Sequence, residues 1–257
     1  MGYEIIVANT NMEGNPESEL VLDYGKICCQ YFVAPMGSGK TEAIKSLIHS
    51  AAKTGIYKWF LVMSPTRLSG EWDCLPDEAV VSFSPEKLIS IYRQIRKYRE
   101  KCHKSGEKPK LQRGCIILDD CIGSAQKLWH YAGKKGADPE DNFLNCFIQT
   151  RHSAIDLWVS SQTYCGAPPS VRNLQNYCWI WPTTNPSVTK PLHAFVGGRC
   201  DSHKHFVKVL TDATKHDDYA VLVVKPQAKT FEETYTSFVP EMVKPFKLKF
   251  KLPFKIA

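Results

Sequence analysis

Apolar residues follow two patterns along the chain, and the order of these patterns predicts the fold. Short continuous apolar runs are typical of strands that are buried on both faces of a sheet. They occur within residues 26–35, 57–66, 79–84, 114–120, 154–162 and 177–182. Apolar residues at helical spacing occur instead within residues 40–53, 85–104 and 141–152. Strands that alternate with helices predict an α/β fold, in which helices flank a mainly parallel sheet.

Local signals support the ends of two of these helices. Gly55 follows the first helix, where a glycine commonly terminates a helix. Ser84 and Pro85 fit the N-cap and the first position of the second helix.

The last part of the chain is less regular. Residues 219–226 predict a late antiparallel strand, either at a sheet edge or in a hairpin with residues 205–211. The final segment, "KPFKLKFKLPFKIA" (244–257), alternates lysine with leucine and phenylalanine. It fits a strand with one basic face or an extended arm, because Pro245 and Pro253 are poorly tolerated in a central strand.

Composition is that of a globular protein, since 43% of the 257 residues are hydrophobic and 23% are charged. We divide the chain into an N-terminal extension (1–25), a central domain (26–226) and a basic C-terminal tail (227–257). The first residues lack the features of a signal peptide, and no apolar run approaches the roughly 18 residues of a membrane span. The ten cysteines are too sparse for a disulfide scaffold and predict buried thiols in a reducing intracellular compartment.

A glycine-containing segment, "APMGSGKT" (34–41), connects the first predicted strand to the first helix. Its spacing is that of the phosphate-binding motif G-x-x-x-x-G-K-[ST], with Ala34 in place of the first glycine. Gly37 and Gly39 can adopt backbone angles that turn several amides towards one anion, and the N-terminus of the helix favours the same anion. The predicted ATP-binding residues are therefore Ala34, Pro35, Met36, Gly37, Ser38, Gly39, Lys40 and Thr41, with Lys40 at the β and γ phosphates and Thr41 at Mg²⁺.

Polar residues at the ends of two later strands are candidates for catalysis. Asp119 ends a buried strand, a position from which a carboxylate can hold Mg²⁺. Asp120 follows directly and can polarise the attacking water, or it can cap the next loop. Gln162 follows another strand and would lie beside the γ phosphate if that strand adjoins the other two. The alternative for Gln162 is an ordinary hydrogen bond within a loop.

Two arginines are candidates for stabilising charge at the site of a neighbouring subunit. Arg151 lies in "TRH" (150–152) and Arg172 lies in "PSVR" (169–172). An arginine supplied in trans can lower the barrier to phosphoryl transfer by several kcal/mol. Either arginine can instead pair with a carboxylate or contact DNA.

Positive charge is concentrated in one segment. The net formal charge is +7, and residues 86–113 hold ten lysines and arginines against three glutamates. Within the predicted helix, Arg93, Arg96, Lys97 and Arg99 are candidates for contacts with DNA phosphates, which carry no sequence information. The alternative is a solvated helix face.

Together these motifs resemble those of poxvirus-type genome-packaging ATPases of the FtsK–HerA superfamily, which occur in large DNA viruses, virophages and virus-like DNA transposons. The resemblance covers residues 30–226. It rests on "APMGSGKT" (34–41), "IILDDC" (116–121), "TRHSAIDLWVSSQTYCGAPPSVRNLQNY" (150–177) and "YAVLVV" (219–224), in that order. The sequence departs from the pattern at Ala34, and at Asp120, where many relatives outside the viral branch have glutamate.

The resemblance implies a P-loop NTPase fold and an ATP-driven motor that threads double-stranded DNA into a preformed capsid. By position, it assigns phosphate binding to residues 37–41, Mg²⁺ to Asp119, the water to Asp120 and sensing of the γ phosphate to Gln162. It also implies a homo-oligomeric ring, pentamer or hexamer, and a capsid or portal-vertex protein as partner. The implied location is the virion or a viral factory in the host cytoplasm or nucleus.

Other classes of protein share part of the phosphate motif. A helicase-like ATPase of superfamily two needs a second motor domain with a Q-x-x-G-R-x-x-R element, which the sequence lacks. A thymidine-kinase-like phosphotransferase carries Asp-Glu-Ala-Gln after the equivalent strand, where this chain has Asp120, Cys121 and Ile122. A scaffold that binds nucleotide without turnover is disfavoured because Lys40 and both aspartates are present.

Overall fold

One sheet of nine strands runs through the described part of the chain, which comprises residues 6–9, 26–66, 69–121, 131, 138–162, 164, 169–240 and 243–256 of a computed structural model. The strands are β1 (Ile6–Asn9), β2 (Cys29–Val33), β3 (Trp59–Met63), β4 (Val80–Val81), β5 (Gly114–Asp119), β6 (Ile155–Ser161), β7 (Tyr177–Ile180), β8 (Val221–Val224) and β9 (Tyr235–Val239). Their order across the sheet is β1-β9-β8-β7-β2-β6-β5-β3-β4. Neighbouring strands are parallel except at β8, which runs antiparallel to β7 and β9. The predicted mainly parallel α/β fold with a late antiparallel strand is confirmed.

Helices cover both faces of this sheet. Those in the described residues are α1 (Lys40–Lys53), α2 (Pro85–Lys104), α3 (Phe143–Ile148), α4 (Thr150–Ser153), α5 (Pro169–Arg172), α6 (Pro186–Val196), α7 (His203–Thr214) and α8 (Phe231–Thr234). Helix α1 packs on one face, and α2, α3, α6 and α7 pack on the other. Because both faces are buried, the central strands are mostly apolar instead of alternating between apolar and polar residues.

Strand β2 lies at the centre of the sheet, between β7 and β6. On one face its Phe32 packs between Trp158 and Trp179, with ring centroids 6.0 and 5.6 Å away. On the other face Tyr31 meets the edge of the Tyr164 ring at 5.8 Å. Each of these buried rings stabilises the fold through the apolar surface it removes from water. The strand that leads into the phosphate motif is therefore held from both sides.

The structure corrects the hairpin expected for β8. Residues 205–211, one predicted partner of β8, belong to α7, and β8 instead pairs with β7 and β9 and is not an edge strand. The buried residues of α7 include Phe206, Val209 and Leu210 at helical spacing. So short an apolar run is compatible with either a strand or a helix. Strand β9 lies beyond the boundary drawn at residue 226, so the sheet continues into the C-terminal tail.

Smaller differences concern the N-terminal extension and one helix. The extension contributes β1, which pairs in parallel with β9 and places Ile6 opposite Thr236. The helix predicted over residues 141–152 is divided into α3 and α4. Ser84 and Pro85 begin α2 as predicted.

The end of the chain is an extended arm, which is one of the two alternatives predicted for it. Residues 243–256 contain neither helix nor strand. Phe250 packs near Phe60 at 6.3 Å, and Phe254 meets the edge of Trp59 at 4.9 Å. Trp59 and Phe60 begin β3 and point to opposite faces of the sheet. The arm therefore passes from one face to the other at the amino-terminal edge of β3.

A buried carboxylate connects several strand starts at this same edge. Asp156 in β6 is fully buried and accepts hydrogen bonds from Arg113 Nη2 (2.9 Å), the Cys28 amide (3.0 Å) and the Tyr57 hydroxyl. Burial raises the pKa of the Asp156 carboxyl, while the hydrogen bonds from Arg113 and Tyr57 lower it. These partners lie just before β2, β3 and β5, so one side chain fixes the relative positions of four strands.

Two further expectations concern membranes and cysteines. In the described part of the chain, each helix is too short or too polar to cross a membrane. The described cysteines are free thiols; Cys28, Cys115 and Cys178 are buried and Cys121 is half-buried. Burial raises the pKa of these four thiols, which therefore stay neutral and pack as small apolar residues.

The contact between Gly114 and Trp59 gives a prediction about stability. A Cβ atom at Gly114 would lie 2.0 Å from Trp59 Cε2, so Gly114→Ala must displace an indole ring that also contacts the arm. Overpacking of this kind costs about 1–3 kcal/mol. We expect the melting temperature, measured by circular dichroism, to fall by roughly 2–4 °C for each kcal/mol lost.

Gly198→Ala is the matched control, because a Cβ atom there has no other atom within 4 Å. Its melting temperature should stay close to that of the parent protein. Equal melting temperatures for the two variants would contradict the packing described for Trp59.

Candidate functional site at the carboxyl ends of the central strands

Three motifs that are far apart in sequence meet at one edge of the sheet. Strand β6 lies between β2 and β5, with Ser161 opposite Val33 and Ser160 opposite Asp119. The phosphate loop, defined as residues 34–41, follows β2, while Asp120 follows β5 and Gln162 follows β6. Strand β6, which precedes Gln162, therefore adjoins both β2 and β5, as a position of Gln162 beside the γ phosphate requires.

The backbone of the phosphate loop is shaped to receive an anion. Gly37 and Gly39 have φ angles of 76° and 80°, which side chains other than glycine rarely adopt. Gly39 caps α1 without a side-chain hydrogen bond, so the first amides of this helix are available to a ligand. The Ser38 hydroxyl is buried and has no hydrogen-bond partner among the described residues. A bound phosphate group could accept hydrogen bonds from the first amides of α1 and from the Ser38 hydroxyl.

Ala34 explains why the motif tolerates a residue other than glycine at its first position. It is 1% exposed, and its amide donates to the Ser161 carbonyl at 3.2 Å. Its φ angle is not positive. The position therefore requires a small buried side chain and makes no use of the conformational freedom of glycine.

Lys40 and Asp120 form the central contact of the site. Lys40 Nζ lies 2.6 Å from Asp120 Oδ1, and the lysine side chain is only 7% exposed. Asp120 has a φ of 46°, in the left-handed region that aspartate and asparagine tolerate better than most residues. Its amide donates to the Ser160 carbonyl at 3.2 Å. The turn after β5 thus directs the Asp120 carboxylate towards the phosphate loop.

Asp119 is buried beside this pair and is held by two serines. Ser160 Oγ donates to Oδ1 at 2.8 Å, and Ser64 Oγ donates to Oδ2 at 3.3 Å. Burial raises the pKa of the Asp119 carboxyl; the negative charge of Asp120 acts in the same direction, while the Ser160 hydrogen bond and Lys40 oppose it. A cation placed here would relieve the cost of burying this charge. Sequence reasoning missed Ser64, whose only signal is that it is the first polar residue after β3.

The other residues predicted for the site lie around this cluster. Thr41 is half-buried in the first turn of α1, next to Lys40. Pro35 and Met36 are exposed, and Met36 is 85% exposed. Gln162 is also exposed. The individual roles of these residues stay predictions.

The two candidate arginines are in different environments. Arg151 is exposed in α4, just before β6. At about 3.3 Å per residue, β6 spans roughly 23 Å and separates Arg151 from the phosphate loop of its own subunit. Arg172 is half-buried, with its guanidinium 3.2 Å from the Phe195 ring centroid and 6.0 Å from that of Tyr164. Arg172 is thus held by aromatic rings, and Arg151 is the more exposed of the two.

The basic residues of α2 divide into two pairs. Arg93 and Arg96 form ion pairs with acidic residues of segment 138–141. Lys97 is exposed and Arg99 is half-buried, and neither forms an ion pair with a described residue. Lys97 and Arg99 are therefore the better placed of the four to contact a phosphate.

A cavity of about 180 Å³ opens beside the phosphate loop. Gly39, Ala43, Trp181 and Tyr219 contribute to its wall. The Tyr219 side chain is 55% exposed and approaches Gly39, where an added Cβ would lie 3.7 Å from its Cδ1 atom. An exposed aromatic ring at this place can stack on a nucleobase. Tyr219 begins the motif "YAVLVV" (219–224), but the sequence did not indicate its place at the phosphate loop, because a long-range contact brings it there.

Comparison with known proteins establishes the fold of this chain but does not assign a role to any single residue. No family model matches the sequence, and no curated protein does. Among solved structures, the genome packaging NTPase B204 from Sulfolobus turreted icosahedral virus 2, in complex with ATP-gammaS, is similar with a TM-score of 0.52 and 13% identity, over 84% of this chain and 98% of that one. B204 from Sulfolobus turreted icosahedral virus, described as a DNA-packaging ATPase, gives a TM-score of 0.51 and 14% identity over 83% and 98%.

A third similar structure is the pCW3 conjugation coupling protein TcpA with ATPgS. Its TM-score is 0.54 and its identity 15%, over 86% of this chain and 62% of that one. At these identities the similarity establishes the fold. The chain thus has the P-loop NTPase fold seen in genome-packaging NTPases, as the resemblance in sequence implied.

The contact between Lys40 and Asp120 predicts the behaviour of Asp120→Asn. Asparagine tolerates the left-handed backbone as aspartate does, so the fold should survive. Removal of the negative charge should lower ATP hydrolysis by about 100-fold or more, the usual effect of losing a general base. Phosphate release and the melting temperature would be measured together.

Asp73→Asn removes an exposed carboxylate outside the site and should leave hydrolysis unchanged. Full turnover in Asp120→Asn would exclude Asp120 as the residue that activates water.

Proposed function

We propose that this chain is an ATPase that moves double-stranded DNA and packages a viral genome into a preformed capsid. The observation that carries the proposal is the contact between Lys40 and Asp120, at the edge where Asp119 also lies. An enzyme that hydrolyses ATP needs a cation at the phosphates, a carboxylate for the metal and a group that orients water. Similarity in fold to genome-packaging NTPases supports DNA packaging as the use of that energy.

The residues around the loop fit ATP and Mg²⁺. Amides of the phosphate loop and the unpartnered Ser38 hydroxyl would bind the phosphates, and Lys40 would contact the β and γ groups. Thr41 and Asp119 would hold Mg²⁺, which neutralises phosphate charge when it is bound. Tyr219 is placed to stack on the base.

Asp120 is the group we assign to the attacking water. Lys40 contacts its Oδ1 atom, and 37% of the side chain is exposed, so Oδ2 can accept a hydrogen bond from water. The positive φ of Asp120 holds this carboxylate towards the loop, in compensation for the shorter reach of aspartate relative to glutamate. Gln162, at the end of the intervening strand, would report the presence of the γ phosphate.

A homo-oligomeric ring, pentamer or hexamer, would complete the site. Arg151 lies too far from its own phosphate loop and would act on the nucleotide of a neighbouring subunit; Arg172 is the second candidate. A capsid or portal-vertex protein would anchor the ring. The motor would act in the virion or in a viral factory of the host cytoplasm or nucleus.

ATP hydrolysis with and without long duplex DNA tests the proposal. We expect DNA to stimulate hydrolysis by the purified protein. Lys40→Ala should reduce turnover by about 100-fold or more without unfolding, because it removes the buried cation at the phosphates. Lys53→Ala, at the exposed end of α1, is the matched control and should retain full activity.

Thymidine is included as a trial phosphoryl acceptor. Turnover that depends on thymidine and ignores DNA would replace the motor with a small-molecule kinase. Hydrolysis unaffected by Lys40→Ala would contradict the site itself.

The division of basic residues on α2 gives a separate prediction. Replacing Lys97 and Arg99 by glutamine should lower the salt dependence of duplex-DNA binding, since each lost phosphate contact reduces the slope by about 0.9. Replacing Arg93 and Arg96 by glutamine should instead lower the melting temperature, because it breaks their ion pairs with segment 138–141. Fluorescence anisotropy over a series of NaCl concentrations measures the first effect, and circular dichroism the second. If the salt slope of DNA binding is unchanged in the Lys97 and Arg99 variant, the basic residues of α2 form a solvated helix face and do not contact DNA.

A further inference from the structure

The arm formed by residues 243–256 has two chemically different sides. Its apolar residues face the protein and pack against the core, namely Phe246, Leu248, Phe250, Leu252, Phe254 and Ile256. Its lysines are all exposed, namely Lys244, Lys247, Lys249, Lys251 and Lys255. The alternation of an extended chain, in which successive side chains point to opposite sides, produces this division.

Backbone hydrogen bonds and ring contacts fix the arm along its length. The Leu248 amide donates to the Cys74 carbonyl at 2.8 Å. Gln94 of α2 bonds the Lys255 backbone twice, accepting from its amide at 3.1 Å and donating to its carbonyl at 2.8 Å. The Phe246 ring lies 4.8 Å from the His49 ring of α1. The backbone that carries the lysines is therefore ordered before any partner arrives.

The charge of the arm is uncompensated within the described residues. The segment contains five lysines and no acidic residue. None of these lysines forms an ion pair with a described residue. Alternate residues of an extended chain are about 6.6 Å apart, close to twice the roughly 3.4 Å rise per phosphate along one DNA strand.

We infer that the lysine row of residues 247–255 binds the phosphate backbone of double-stranded DNA. This inference deepens the proposed function and rests on it for the identity of the polyanion. Contacts made through lysine ammonium groups to phosphates read no sequence, as a motor that moves along any DNA requires. The row also adjoins Lys97, which lies one helical turn from Gln94, so the arm and α2 present one basic surface.

The composition of the exposed side favours DNA over other anionic partners. Protein interfaces depend on buried aromatic and apolar anchors, and stable binding to a membrane surface needs an inserted apolar group in addition to a basic patch. The phenylalanine, leucine and isoleucine side chains of the arm all pack against its own core. The five lysines are therefore what the arm chiefly offers to a partner.

The test compares two variants of equal charge. One replaces Lys247, Lys249 and Lys251 by glutamine; the matched control replaces the exposed Lys204, Lys208 and Lys229, which lie outside the arm. Binding of a short DNA duplex is measured by fluorescence anisotropy over a series of NaCl concentrations, without nucleotide. We expect the arm variant to bind more weakly, with a salt slope lower by about 2–3. The control should bind like the parent protein.

Equal slopes for the arm variant and the parent, with melting temperatures preserved, would overturn the inference. A polyglutamate peptide, whose charge spacing when extended is close to that of one DNA strand, should bind much more weakly than DNA at the same salt. Binding of polyglutamate as tight as that of DNA would assign the row to an acidic protein partner instead.

Failure of the inference and failure of the proposed function remain distinguishable. DNA-stimulated hydrolysis with an unchanged slope in the arm variant would reject the lysine row and keep the motor. If the protein hydrolyses no ATP but the arm variant has a reduced salt slope, the lysine row is kept as a DNA-binding surface and the ATP-driven motor is rejected.

Discussion

The parallel register of β2, β6 and β5 is the constraint on which the rest of the site depends. Strand β6 must lie between the other two, with Ser160 opposite Asp119, for the phosphate loop and both aspartates to share one edge. A slip of one residue would turn every side chain of a strand to the opposite face. The aromatic packing on both sides of β2 resists such a slip, as does the buried Asp156 cluster at the opposite edge. The geometry of the candidate site at the carboxyl ends of the strands thus depends on Asp156 near their amino-terminal ends.

Much of this arrangement could be predicted because it depends on local patterns. Continuous apolar runs gave β2, β3, β5, β6 and β7, and the glycine spacing of residues 34–41 gave the loop and the start of α1. The predicted place of Asp119 and Asp120 follows from the rule that parallel strands bring their carboxyl ends to one edge. Sequence alone also favoured Lys40 as a functional cation, and the structure buries it against Asp120.

What escaped prediction depends on contacts between distant segments. The strands β1 and β9 lie outside the central domain drawn from the sequence, and each is positioned by pairing with another strand. Residues 205–211, offered as one possible hairpin partner of β8, instead lie in α7, because so short an apolar run is compatible with a strand or a helix. Ser64 lies in no motif, and the motif "YAVLVV" (219–224) gives no sign that Tyr219 reaches the phosphate loop; the fold brings both residues there. The sequence favoured Arg93 and Arg96 as DNA contacts, yet their acidic partners are supplied by segment 138–141, which lies beyond β5 in the chain.

The pairing of β1 with β9 affects when the outer half of the sheet can assemble during synthesis. Strand β1 precedes its partner β9 by more than 220 residues, so it leaves the ribosome long before β9 does. Until β9 emerges, β1 has no strand beside it, and β8 exposes an unpaired edge once it has joined β7. An open edge of this kind can recruit another nascent chain. Synthesis must therefore pass β9 before the edge of β8 is covered, and a ribosome pause before that point would prolong the exposure of this edge.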